Sequence, residues 1–162
     1  MSDMYDFIVK LRAIRQYSEG PVSRDDLEKI LEAARWTGSS KNRQKWSFLV
    51  FTDREGLDGL ARCGSFTQPL RDATAAIVLV QEPGGNMFDI GRAAQNIMLA
   101  AQAIGVASCP ITLHKEDEVQ DFLQPKSGQI ARYAVALGYP TEDSKPANFG
   151  GRKEQQRLVR WL

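Results

Sequence analysis

Between residues 87 and 105, Ile90, Ala94, Ile97, Met98, Ala101 and Ile104 recur three and four apart, a spacing that predicts a helix with one apolar stripe. The other side carries Ala93, Ala100 and Ala103 among few polar groups, Arg92, Gln95, Asn96 and Gln102. A face so small and weakly polar predicts burial on both sides, either as the core helix of a monomer or against another subunit. Gly105 supplies a left-handed stop, and residues 106–112 then read as a strand. Residues 75–81, AAIVLVQ, form a continuous apolar run of strand length, which predicts a strand covered on both faces.

The other elements follow by the same signals. Ser2 can cap a helix over 3–11, with Tyr5, Ile8, Val9 and Leu11 on its apolar side. Ser23 and Asp26 resemble a capping box, and Leu27, Ile30, Leu31 and Ala34 mark a helix to about Arg35. Residues 46–52 read as a strand, 55–63 as a short helix, 64–72 as a loop, 116–123 as a short acidic helix, 124–129 as a loop and 133–138 as a last strand. No repeat, low-complexity tract or linker divides the chain, so its 162 residues predict a single domain with a core that needs no staples.

Composition narrows the function classes. A net charge of +1 is no polyanion footprint, and few aromatics look exposed, so nucleic-acid binding is disfavoured. No apolar run approaches a membrane span, and no signal peptide is visible, which makes the cytoplasm the expected compartment. Cys63 and Cys109 form neither a disulfide framework nor a metal pattern and read as buried apolar residues. The lone His114 follows a strand end and reads as a surface histidine, and no Ser, His, Asp arrangement or metal spacing stands out.

Two stretches carry candidate chemistry. LRAIRQY places Arg12 and Arg15 together at a helix end with no acidic residue between them; each pairs with a surface carboxylate, or both flank an anion such as a phosphate. WTGSSKNRQKW, from Trp36 to Trp46, sets many hydrogen-bonding groups between two tryptophans. That suits a flat, polar-edged ligand, or else a loop anchored to the core by its tryptophans.

Together these stretches resemble the FMN-dependent nitroreductase family along nearly the whole chain. LRAIRQYSEGPVSRDDLEKILEAARW is similar to the family's opening, TGSSKNRQKWSFLVF to its A-P-S-x-x-N-x-Q-P-W stretch, DIGRAAQNIMLAAQAIGVASCPI to its central helix and following strand, and YAVALGYP to its A-x-x-x-G-Y-P strand end. The resemblance implies an α+β fold with a central, mostly antiparallel sheet flanked by helices, and a homodimer with FMN in clefts at the subunit interface. It implies that Arg12, Ala13 and Arg15 form the amino-terminal flavin segment, with Arg12 on the phosphate and Arg15 reaching the phosphate, the ribityl chain or the ring edge. Ala13 stands where the family usually has serine and loses a hydroxyl donor. Gly38, Ser39, Ser40 and Asn42 would meet the flavin of the other subunit, Gly38 replacing a proline and loosening the loop. Gln68 would face the pyrimidine edge, Pro110, Ile111 and Thr112 would line the ring and offer a backbone donor, and Arg152 with Lys153 would close on the phosphate. With these in view, the anion reading of the Arg12 and Arg15 pair is preferred.

The implied activity is ping-pong hydride transfer, NADH or NADPH giving electrons to FMN and an electron-poor acceptor such as a nitroaromatic or quinone taking them, with no catalytic acid or base demanded. The absence of a Gly-rich dinucleotide fingerprint agrees with a donor that visits the flavin face. The chain is short for the family, so the acceptor pocket should be open or roofed by the partner. The alternative is an FMN-binding protein with little turnover, a sensor or carrier.

Overall fold

The computed structural model describes residues 3–147 and 150–162, so the capping role expected of Ser2 lies outside the described residues. Among these residues six α-helices and four strands follow in the order α1 (Asp3–Lys10), α2 (Arg24–Arg35), β1 (Trp46–Phe51), α3 (Arg54–Arg62), α4 (Gln68–Asp72), β2 (Ala75–Gln81), α5 (Met87–Ala103), β3 (Ala107–Thr112), α6 (Glu116–Leu123) and β4 (Ile130–Gly138). The strands form one antiparallel sheet in the order β1-β2-β4-β3.

Alternation along β2 builds both halves of the core. Ala76, Val78 and Val80 face α3, α4 and α6, packing with Leu57, Leu60, Leu70 and Val119. Ala75, Ile77 and Leu79 face α2 and α5, packing with Leu27, Ile30, Ile90 and Ile97. The apolar run of β2 is therefore buried on both faces because helices cover both sides of an antiparallel sheet.

Helix α5 starts at Asn86, whose Oδ1 accepts from the Asp89 N–H at 3.0 Å. It ends at Gly105, whose φ of +78° is the left-handed stop, with the Val106 N–H donating to the Ala101 carbonyl at 2.9 Å and the Gly105 N–H to that of Gln102 at 3.3 Å. Its buried stripe is Ile90, Ala93, Ile97 and Ala101. Ala93 thus belongs to the core, Ala94, Met98 and Ile104 are half-buried, and Gly91, Arg92, Gln95 and Ala103 are exposed. Among the described residues of a single chain one side of this helix has no cover, so the reading as the core helix of a monomer does not account for that side.

The capping box of α2 is half formed: the Ser23 Oγ accepts from the Asp26 N–H at 3.1 Å. The Ser23 N–H turns instead to the Tyr139 hydroxyl at 3.4 Å, and that hydroxyl donates to Asp26 Oδ2 at 2.7 Å. Most boundaries fall within a residue of the sequence reading, and two differ by more. Residues 68–72, read as loop, form α4, and β4 begins at Ile130 rather than Tyr133.

Glu82, just past β2, ties the sheet's end together. It accepts from the Ser47 hydroxyl, and the Gln129 amide donates to both its oxygens at 3.0 and 2.9 Å. The Ser47 bond, then those from Gln129, hold its carboxyl below the ordinary carboxylate range. The stabilisation is therefore fully present above the unfolded value and is lost as pH falls through the lowered folded one. Glu82→Gln should cost about 1 kcal/mol near neutral pH, and denaturant melts of the two proteins should converge on acidification below pH about 4.

Candidate functional site

The edge strand β3 organises the candidate site. Among the described residues its outer side has no strand partner, so every second residue turns its backbone outward. Ser108 uses that register to accept from the Ile14 N–H at 3.0 Å, which fixes the chain after α1 against the strand. Pro110 shares the register and has no N–H; Thr112, two residues on, has its N–H in the same outward register.

Beside β3 lies a cavity of about 400 Å³ whose lining includes Arg15, Gln68, Pro110, Ile111 and Thr112. Gln68 is brought here by α4, where its Nε2 donates to Asp72 Oδ1 at 2.8 Å. Gly64 makes the approach possible, because a Cβ there would lie 2.8 Å from the Thr112 carbonyl oxygen and 2.7 Å from Thr67 Cγ2. A neighbouring groove of about 750 Å³ shares Pro110 and adds Arg12, Ala13 and Arg152, with Gln95 and Met98 of α5 on its wall. Arg12 donates from Nη1 to the Val9 and Leu11 carbonyls, both at 2.7 Å, closing the carboxy-terminal end of α1. Among the described residues its remaining N–H groups have no acceptor, which leaves them for another one.

The remaining expected residues lie elsewhere. Gly38, Ser39, Ser40 and Asn42 sit by the first half of α5, where Arg92 Nη1 donates to the Gly38 carbonyl at 2.8 Å. The Arg12 groove meets α5 at Gln95 and Met98, and further along the helix Gln102 donates to the Phe7 carbonyl at 2.9 Å. Neither the groove nor the cavity is lined by Gly38, Ser39, Ser40 or Asn42 of the same chain. Lys41, Asn42 and Gln44 all have positive φ, near +50°, a costly backbone for residues with a Cβ. Ser39 Oγ holds that turn by accepting from the Gln44 N–H at 2.9 Å. Of the two tryptophans, Trp46 packs on the core, whereas Trp36 is 74% exposed and donates to Glu32 at 2.7 Å. Lys153 is exposed and lines neither cavity.

Phe66, Pro69, Cys109 and His114 also line the 400 Å³ cavity, and sequence reasoning missed them there. Phe66 is 90% exposed, and Phe88 and Trp161 are exposed too, so aromatic surface is more abundant than composition implied. His114 is a surface histidine, as expected, with Nε2 3.1 Å from Ser65 Oγ. Burial pushes the Cys109 thiol up, with Arg15 pulling the other way, so the sulfur stays a neutral lining atom. Among the described residues, no group of three His, Cys, Asp or Glu could hold a metal, and no helix is long and apolar enough to cross a membrane.

Residues 8–86 and 68–139 match the Nitroreductase family. A protein of Archaeoglobus fulgidus, provisionally assigned as an NADH dehydrogenase/NAD(P)H nitroreductase, is 32% identical over 171 residues, covering 99% of this chain and 98% of its own length. The chain belongs to the nitroreductase family. The NADH dehydrogenase of Thermus thermophilus is 28% identical over 94% of this chain and 93% of its own. Among solved structures, the FMN-dependent nitroreductase of Clostridium difficile superposes with a TM-score of 0.84 at 28% identity, over 98% of each chain. A Parabacteroides distasonis structure reaches 0.88 at 22% identity, over 99% of this chain and 98% of that one. The α+β arrangement of a central antiparallel sheet flanked by helices is thus the nitroreductase fold.

Proposed function

We propose that this nitroreductase family member is a cytoplasmic, single-domain, homodimeric FMN-dependent oxidoreductase. It would pass electrons from NADH or NADPH to an electron-poor acceptor such as a nitroaromatic or quinone. The observation that carries the reading is the convergence at Pro110 of an arginine groove and a mixed cavity on the outward edge of β3. A phosphorylated, flat, polar-edged cofactor fits that donor set. Arg12 and Arg152 would grip the phosphate, Arg15 and Gln68 would meet the polar edge, and Pro110 and Ile111 would form an apolar floor. A cavity of about 400 Å³ lies within the range of small-molecule sites, roughly 300 to 1,000 Å³.

The FMN supplies hydride-transfer chemistry when bound, so this chain's residues bind, orient and exclude water. The outward N–H of Thr112 would donate to the ring, and Arg15 would hold negative charge beside it. The same reading takes two copies: the segment from Gly38 to Asn42 lines neither the Arg12 groove nor the cavity of its own chain, and the exposed side of α5 offers a surface across which a second chain would bring them together. The Clostridium difficile and Thermus thermophilus relatives, an FMN-dependent nitroreductase and an NADH dehydrogenase, support the cofactor and donor.

Purified protein should be yellow, release FMN on denaturation and bleach within seconds of adding NADH or NADPH under anaerobic conditions. Colourless protein that takes up no FMN and sediments as one copy would overturn the assignment. Yellow protein that does not bleach over minutes would leave a flavin carrier or sensor.

A further inference from the structure

We infer that the cationic cleft of Arg62, Arg71 and Lys115 docks the phosphates of the dinucleotide electron donor and so holds its nicotinamide over the adjoining cavity. The inference rests on the donor assignment above and gives it a place on the protein.

The cleft has a volume of about 600 Å³ and lies between the end of α3, the loop to α4, and the start of α6. It opens directly on the candidate cofactor cavity, because Phe66 and Gln68 line both. Three cations face one lining carboxylate, Glu118, in a chain whose charges otherwise nearly balance. Arg71 is partly engaged by Asp58 at 3.9 Å, and that carboxylate is shared with Arg54 at 3.2 Å. Arg62 stacks over Phe122 at 5.7 Å, but neither Arg62 nor Lys115 makes an ion pair among the described residues. Arg62 alone could be explained as a cation at a helix carboxy terminus. Lys115 and Arg71 come from other segments, and their convergence with Arg62 on one cleft has no such local cause.

The cleft is also held in shape. Thr67 donates to the Ala61 carbonyl at 2.6 Å from a buried hydroxyl, and the Lys115 N–H donates to the Cys63 carbonyl at 3.0 Å. Gly64 presses the loop on Thr112 without room for a side chain. Phe66 stands on the divide between cleft and cavity, almost wholly exposed, so its ring is free to stack on a flat heterocycle. A dinucleotide has the matching layout: anionic phosphates for the cleft, a ribose to span the divide and a flat ring for the cavity. A carboxylated acceptor shares the anionic chemistry, and the experiment separates the two sources.

The test is the double variant Arg62→Gln/Lys115→Gln, with both side chains exposed so that folding is preserved. In FMN-loaded protein, stopped-flow bleaching should show the Kd for NADH and NADPH raised roughly tenfold, as expected for two charged contacts at an exposed rim. The loss should shrink with added salt. The phosphate-free donor 1-benzyl-1,4-dihydronicotinamide should reduce both proteins alike, FMN retention should be equal, and a carboxylated nitroaromatic should keep its KM. Unchanged donor Kd, an equal loss with the benzyl donor, or a change confined to the carboxylated acceptor would overturn the proposal while leaving the flavin assignment intact. Fluorescence titration of flavin-free protein with NADH gives an independent reading: if the chain takes up no FMN, charge-dependent NADH binding would sustain the cleft and its absence would overturn it.

Discussion

Ile97→Ala should destabilise the protein by about 2 to 5 kcal/mol, the range for deleting a buried branched side chain that leaves a cavity. Ile97 is 0% exposed and lies in the half of the core built by α2, α5 and the odd positions of β2 and β4. Its neighbours come from the sheet and from α2, and its own helix is locked at both ends by Asn86 and Gly105, so the site has little freedom to collapse into the gap. Against a typical total of about 5 to 15 kcal/mol, the loss is a large share. Calorimetry at fixed protein concentration should show the Tm lowered by roughly 4 to 20 °C, and Ile97→Val should cost only about 0.5 to 1.5 kcal/mol. A loss under about 1 kcal/mol for the alanine variant would contradict the packing described for α5.

The same helix shows what the sequence could and could not convey. Ile90, Ile97, Ala101 and the Gly105 stop were legible because bulky residues at helical spacing and a left-handed glycine each have one local cause. Ala93 and Ala94 differ by one position and not at all in chemistry, so only the tertiary structure decides which enters the core. β4 was legible only from Tyr133, because its register against β2 shifts between Leu79 and Val80. A bulge there breaks the alternation that would have joined Ile130 and Ala131 to the rest. α4 is five residues long, too short for helical periodicity to register, and Gln68 was reachable only through the family resemblance. Phe66 and His114 carried no pattern: an aromatic in a polar loop and a single histidine acquire meaning from the cavity beside them.

Arg12→Ala should weaken FMN retention by about 1.5 to 3 kcal/mol, the range for a hydrogen bond to a charged group, which is roughly a 10- to 150-fold rise in Kd. The guanidinium is held in place before any anion arrives, since its Nη1 is fixed on the Val9 and Leu11 carbonyls and its groove also contains Arg152. Preorganisation of this kind reduces the ordering cost of binding, and a lysine, lacking the planar fork, should recover only part of the affinity. Because Arg12 also closes the end of α1, its loss should fray that helix. Arg152→Ala separates the two effects: it removes a cation from the groove and leaves the helix end untouched. If Arg12→Ala and Arg152→Ala both release FMN in an equilibrium dialysis measurement, the phosphate site is where the two arginines meet. If retention is unchanged in both, the groove at the end of α1 does not hold the cofactor and the anion reading of the Arg12 and Arg15 pair is wrong.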